Sequence, residues 1–238
     1  MTGRRVTEYA VASDKIVEPL TFAVVSDLHD GAYQDVLPVL ARADAILIVG
    51  DLVDRHRNGY RQAVHFLEDA PGIAPTFYAL GNHEQKLKCR DEYWPHVEKS
   101  GAVVLDNRFT PFRGILLGGL SSPAHGSLET GFLAEADGNP AFKLLMCHQP
   151  ELFERHVKPH DIDLTLAGHA HGGQVQIAGR GLYAPNQGLL PRLTHGFYEH
   201  GRLLVSRGMT NATWAPRLNN PCELIMLKLT GRASDEAK

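Results

Sequence analysis

Only three of the 238 residues are cysteine, Cys89, Cys147 and Cys222, far apart and without a CxxC spacing. That excludes a disulfide framework and a structural zinc knuckle, and it fits a reducing compartment. Long apolar runs are missing too. No window approaches the roughly 18 consecutive apolar residues of a membrane span. There is no block of like charge: the formal net charge is −3, and no basic cluster with interleaved aromatics is present, which argues against a nucleic-acid partner. Repeats and low-complexity tracts are absent. Arg4 and Arg5 form a pair near the start, but no apolar stretch follows them, so a secretory or twin-arginine signal is not expected. These absences predict a cytoplasmic protein, with peripheral membrane association as the closest approach to a bilayer, and they leave the oligomeric state open.

What is present is ordinary globular material, 43% hydrophobic and 21% charged. It predicts a single domain over residues 1–238, with a core from about 20 to 230 and frayed ends. Apolar runs recur and each ends in a polar cluster: LTFAVVSDLHD, AILIVGDLVDR, TFYALGNHE, GILLGGLSS, KLLMCHQP and LTLAGHAHGG. Short Val-, Ile- and Leu-rich runs bounded by Gly, Asp or Asn are the pattern of buried strands. Helical spacing falls between the first of them, at Ala32 to Arg42, Tyr60 to Asp69 and Asp91 to Ser100. Later segments, Gln174 to Ile177, Leu203 to Ser206 and Leu224 to Leu229, read as strands with little helix between. The expected fold class is therefore α/β, a two-sheet β-sandwich flanked by helices, with the second sheet the more antiparallel.

In such a sheet, functional groups gather at the carboxyl ends of the strands. Here those ends carry Asp27, His29, Asp51, Asn82, His148, His169 and His171. Imidazole with carboxylate suits Mn, Fe, Zn or Co better than calcium or copper(I). Seven candidate ligands exceed what one tetrahedral site needs, so two divalent ions are expected, with Asp51 as the natural bridge. Asp27 and His29 are two residues apart, as are His169 and His171, so extended backbone would aim each pair at one face. Cys147 would point the other way from His148, as a buried, inert thiol.

This ordered set, DxH, GDxxDR, GNHE, a lone His after a strand, and GHxH, resembles the calcineurin-like metallophosphoesterases over residues 22 to 173. The GHxHGGQ ending, the GLYAPNQG segment and the SRGMTN stretch resemble the bacterial envelope-associated branch, which includes UDP-2,3-diacylglucosamine hydrolase-like enzymes. The resemblance implies one metal on Asp27, His29, Asp51 and His171, and the other on Asp51, Asn82, His148 and His169. It implies that His83 lies near the scissile phosphate, with Asp54 orienting it and Arg55 reaching a phosphate oxygen.

Two cations would neutralise the phosphoryl oxygens and acidify a bridging water, the nucleophile, while protonated His83 assists the leaving group. The expected activity is phosphodiester hydrolysis of a small nucleotide- or lipid-linked substrate. The Tyr183 to Tyr198 loop would supply contacts, with Tyr183, His125 and His195 as candidates. Phosphomonoesterase, nuclease and non-catalytic metal-binding scaffold are the alternatives.

Overall fold

The computed structural model describes residues 4–124, 126–211 and 216–232. Two six-stranded sheets stack face to face. The first runs, in spatial order, Arg5–Ala12, Glu223–Thr230, Leu20–Val25, Ala45–Val49, Thr76–Ala79 and Val103–Val104. The second runs Gly196–Tyr198, Leu203–Val205, Leu164–Ala167, Phe142–Cys147, Ile115–Leu120 and Arg108–Phe112.

The central strands are buried on both faces, which is why their sequences read as unbroken apolar runs rather than alternating ones. Alternate side chains still go to different cores. Phe22, Val24, Leu47, Val49, Leu144 and Met146 enter the core between the sheets. Ala23, Val25, Ile46 and Ile48 face outward and are covered by Ala63, Phe66, Leu67 and Ala70 of the helix Arg61–Ile73 and by Tyr93 and Val97 of Arg90–Lys99. On the far side of the second sheet, Leu145 and Cys147 pack with Leu133, Phe153 and Val157. Cys147 is thus enclosed, and burial pushes its thiol up to about 12, as expected of an inert cysteine.

The α/β sandwich follows the sequence expectation, but several details differ. The helix expected over Ala32 to Arg42 contracts to a 3-10 turn, Gln34–Val36, and a single α turn, Leu37–Leu40, with Pro38 in its first positions. Proline pins a helix start because it lacks the N–H that a preceding turn would need.

The second sheet is parallel through its centre and antiparallel only at its two edge pairings. Its crossovers run through the short turns Gly131–Ala136 and Phe153–Val157, too brief to register as helical periodicity. Glu223–Thr230 joins the first sheet instead, antiparallel to Leu20–Val25 and parallel to Arg5–Ala12, an edge strand not expected from the sequence. Residues Gln176–Ile177 form a small hairpin with Arg180–Gly181 outside both sheets. Among the described residues no helix is long and apolar enough to cross a membrane.

Candidate metal centre

The parallel strands of both sheets end at one edge of the sandwich, so the polar residues that follow them converge. Asp27 and His29 follow Leu20–Val25, Asp51 follows Ala45–Val49, and Asn82 and His83 follow Thr76–Ala79. His148 follows Phe142–Cys147, while His169 and His171 follow Leu164–Ala167. All eight side chains are buried.

Asp27, His29 and His171 bring ligand atoms within 4.8 Å of one another, and so do Asp51, His148 and His169. A third group, His29, Asp51 and His83, lies between them. Asp51 is the hub, with its Oδ2 at 3.0 Å from His148 Nε2, 3.9 Å from His83 Nε2 and 4.0 Å from His29 Nε2. Its other oxygen accepts the His83 backbone N–H at 2.8 Å. Asp27 Oδ1 lies 3.6 Å from both His29 Nε2 and His171 Nε2, while its carboxylate accepts the His169 backbone N–H at 3.1 Å.

The two spaced pairs do not achieve this in extended backbone. Asp27, His29, Asp51, His169 and His171 all have positive φ, between 47° and 65°. Left-handed backbone at a non-glycine residue costs about 1–3 kcal/mol and persists only where the surroundings enforce it. Here the enforcement is mutual: Asp27 N–H bonds to Gly50 O, His29 N–H to Asp51 O, and Gly168 N–H to His148 O. Leu28 and Ala170 are fully buried between the paired residues and act as anchors for each turn. Gly50, at φ 76°, leaves no room for a side chain, since a Cβ there would lie 2.7 Å from Gly81 Cα and 2.8 Å from the His148 ring.

The donor set suits a metal. His148 Nδ1–H donates to Val49 O at 2.7 Å, which turns Nε2 toward Asp51. Backbone carbonyls and carboxylates commonly orient metal-binding imidazoles in this way. His148 Nε2 and His29 Nε2 face carboxylate oxygens at 3.0 and 3.6 Å, and Asn82 Oδ1 is buried without a hydrogen-bond partner among the described residues, a state that buried polar groups rarely keep.

A positive charge is favoured at this point. Burial alone would lower His148, but the Asp51 carboxylate overrides it and pushes His148 up to about 10. Burial prevails at His169 and His171, held down to about 4 and about 3. Both are therefore neutral at pH 7, as a ligating imidazole must be.

Residues 20–173 match the calcineurin-like phosphoesterase family. The chain belongs to this family. It is 31% identical over 208 residues to an uncharacterized metallophosphoesterase, Cj0846, of Campylobacter jejuni; the match covers 81% of this chain and 52% of that protein. It therefore spans about half the length of that relative. It is 25% identical over 229 residues to the uncharacterized protein YpbG of Bacillus subtilis, covering 90% of this chain and 82% of the relative. The phosphodiesterase YaeI of Escherichia coli is 26% identical over 230 residues, covering 89% and 82% respectively.

Beside the candidate ligands, His83 departs from the imidazolium expected of it. Burial pushes it down to about 4, so it is neutral at pH 7. Its Nδ1 accepts the Arg55 backbone N–H at 3.2 Å and faces His29 Nδ1 at 3.2 Å. An accepting nitrogen carries no proton, so the single ring proton of His83 is on Nε2, on the Asp51 side. His29 Nδ1 is then the donor in this contact.

Asp54 does not hydrogen-bond His83: its carboxylate is 4.0 Å away, accepts the His56 N–H at 2.9 Å and lies 3.7 Å from Arg57 Nε. The loop's backbone, rather than its carboxylate, orients the imidazole. Arg55 Nε is enclosed without a partner among the described residues.

Of the candidate substrate contacts, His125 lies outside the described residues. Tyr183 stands 52% exposed on the hairpin with Gly188–Leu189. His195 lines a cavity of about 520 Å³ together with Arg180, Arg192, Phe197 and Tyr198. Gln176 Nε2 joins His195 Nδ1, at 3.1 Å, to Gly172 O, at 2.8 Å, which ties this cavity to the turn that bears His171.

Burial, then the Arg207 charge, holds His195 down to about 4. The unfolded chain therefore takes up a proton near pH 6.5 that the folded chain refuses until about pH 4. That contribution to stability is complete above pH 6.5 and is lost as pH falls toward 4. His195→Gln should flatten this part of the pH–Tm curve while leaving Tm at pH 8 little changed, which calorimetry in that window measures.

Four supporting residues escape sequence reasoning. Glu84 accepts the backbone N–H groups of Asp51, Leu52, Val53 and Gly81. The Asn186 side-chain amide contacts His169 Nε2 at 3.1 Å. Thr210 Oγ1 donates toward Asp27 O and Leu28 O, each at 3.0 Å, and Asn220 Nδ2 donates to His171 O at 2.7 Å. Asn186 and Thr210 fall inside GLYAPNQG and SRGMTN, so the sequence marked the segments without indicating a role.

Proposed function

We propose that this chain is a dinuclear, metal-dependent phosphodiesterase acting on a nucleotide- or lipid-linked phosphoester or pyrophosphate, with UDP-2,3-diacylglucosamine as an example of the class. The observation that carries the reading is the convergence of two carboxylates, four imidazoles and one carboxamide at a buried sheet edge, with Asn82 Oδ1 left without a hydrogen-bond partner there among the described residues. One ion would be held by Asp27, His29, Asp51 and His171, and the other by Asp51, Asn82, His148 and His169. When bound, such ions supply neutralisation of the phosphoryl charge and acidify the attacking water.

The protein's own groups do the rest. Val49 O holds His148 in one tautomer, and the Arg55 N–H holds His83 in the other. Neutral His83 offers Nε2–H to an oxygen on which negative charge develops as the ester bond breaks. Arg55 adds a cation with an enclosed, unsatisfied Nε–H on the same loop. Preference for a diester is supported by the likeness to YaeI.

Support for an amphiphilic leaving group comes from the rim. Ile177, Tyr183, Leu189, Leu190, Phe197 and Leu218 are exposed large apolar side chains within one stretch of sequence. The cavity lined by Arg180, Arg192 and Phe197 lies among them. Apolar side chains clustered with a few cations suit a substrate with a charged head and an apolar or aromatic body.

Metal-reconstituted protein should hydrolyse bis-p-nitrophenyl phosphate faster than p-nitrophenyl phosphate and release UMP from the lipid-linked substrate. His83→Asn should lower kcat about 10²- to 10⁴-fold with metal content unchanged. Full turnover by His83→Asn would remove His83 from the mechanism. Activity confined to nucleic acid or cyclic dinucleotides would count against the substrate class.

A further inference from the structure

Of the nine large apolar side chains exposed among the described residues, six lie between Ile177 and Leu218. Leu189 is 81% exposed and Leu190 71%, and the fold asks for neither. Both stand outside the hydrophobic cores. Leu190 also has left-handed backbone, at φ 53°, where glycine or asparagine is the ordinary occupant.

Backbone pairing gathers these residues. Tyr183 and Leu189 are cross-strand partners in one hairpin and so share a face, and the Leu190 N–H bonds to Leu182 O at 2.9 Å. Ile177 belongs to the hairpin just before, opposite Arg180, and Leu218 bridges to Val175 at its base. Both hairpins hang on the turn that bears His171. Leu182 N–H donates to Gly173 O at 3.0 Å, and Asn186 of the second hairpin contacts His169 Nε2 at 3.1 Å.

Charge indicates what covers this surface. The chain is net −3, yet no Asp or Glu occurs from Leu164 to Tyr198. The two arginines of that stretch, Arg180 and Arg192, are exposed and line one cavity with Leu190. Neither has a carboxylate within ion-pair distance among the described residues, and Glu199, on which Arg192 acts, is paired with Lys158 at 2.9 Å. A second copy docked face to face would bring these cations together with no carboxylate in the stretch to receive them. A small molecule in the cavity would leave Ile177, Tyr183 and Leu189 bare, since none of the three lines it. An anionic bilayer satisfies both kinds of group, its phosphates meeting the guanidinium ions and its acyl boundary receiving the leucines.

We propose that residues 176–181 and 183–190 form a docking surface for a lipid bilayer with anionic headgroups, with Leu189 and Leu190 inserted and Arg180 and Arg192 on the phosphates. The surface stands on exposure and charge, not on the dinuclear reading, so failure of either leaves the other intact. Docking here would hold the sheet edge that carries the candidate ligands beside the bilayer.

The test is co-sedimentation of the chain with vesicles of equal parts phosphatidylcholine and phosphatidylglycerol, beside pure phosphatidylcholine vesicles and sedimentation velocity without lipid. Wild type should pellet with the anionic vesicles and be released in part by high salt. Arg180→Gln with Arg192→Gln should weaken partition about 10- to 30-fold, and Leu189→Ser with Leu190→Ser about 10-fold or more. Exposed positions leave Tm little changed, and Leu190→Gly, which suits the left-handed backbone, covers the case in which the serine pair folds poorly. Wild type left in the supernatant with anionic vesicles overturns the proposal, as does equal binding by both double variants or equal binding to pure phosphatidylcholine. A lipid-free dimer abolished by the leucine substitutions overturns it too, by giving the patch to a second copy.

Discussion

Asp51→Asn should lower diester turnover by about 10³-fold or more and reduce bound metal from two equivalents toward one or none. Asp51 Oδ2 is within 4.0 Å of His29, His83 and His148, so one carboxylate faces both candidate ligand groups. Transition-state charge stabilisation of several kcal/mol amounts to roughly three decades in rate at 1.36 kcal/mol per decade. The effect on the metal-free protein has a definite sign as well. The His148 charge draws the Asp51 carboxyl well below the usual carboxylate range against the effect of burial. Asparagine removes that partner and leaves a buried imidazolium poorly compensated. The variant should therefore lose stability even without metal, and elemental analysis beside thermal denaturation separates the two consequences. Full metal and full turnover in Asp51→Asn would defeat the dinuclear reading.

Glu84→Ala should cost about 3–5 kcal/mol of folding stability, the range found when one partner of a buried charged network is removed. Glu84 Oε1 accepts from Leu52 and Val53, and Oε2 accepts from Asp51 and Gly81. Burial and the Asp51 charge raise the Glu84 pKa, and the four donors oppose them. Both oxygens accept, so there is no vacant position for a proton. Alanine would orphan four backbone N–H groups at once, each worth about 1–3 kcal/mol if left without water. Glu84→Gln should sit between alanine and wild type, because its amide NH₂ would face two of those donors. The shift in urea midpoint measures both variants, and a loss below about 1 kcal/mol in Glu84→Ala would mean that water replaces the carboxylate.

The contrast between these two carboxylates explains what the sequence could and could not reveal. Asp51 was legible because it ends an apolar run, and its partners end other runs in the same manner. Where every member of a constellation sits at a strand terminus, the sheet itself supplies the proximity. Glu84 lies two residues past Asn82 within the quoted GNHE, yet its role depends on backbone donors 31 to 33 residues away, and side-chain identity carries no mark of that. Asn186, Thr210 and Asn220 reach the centre from long connections after the last ligand, where no periodicity fixes position. The same limit applies to the fold. The buried central strands announced themselves, whereas Arg5–Ala12, with exposed and half-buried residues alternating along an edge, carried too weak a pattern. The extended geometry expected for the spaced pairs was wrong for a related reason, since residue spacing conveys separation along the chain but not handedness.

The left-handed backbone at Asp27, His29, Asp51, His169 and His171 has a consequence for variation at this site. These are positions where chain conformation favours glycine and chemistry demands a large polar side chain, so the two pressures oppose each other residue by residue. Replacement by glycine would relieve strain at the same step that removes a ligand. Inactive descendants of such a protein would gain backbone ease as they lose function, so the five side chains are held at a cost to folding that only the chemistry of the site offsets.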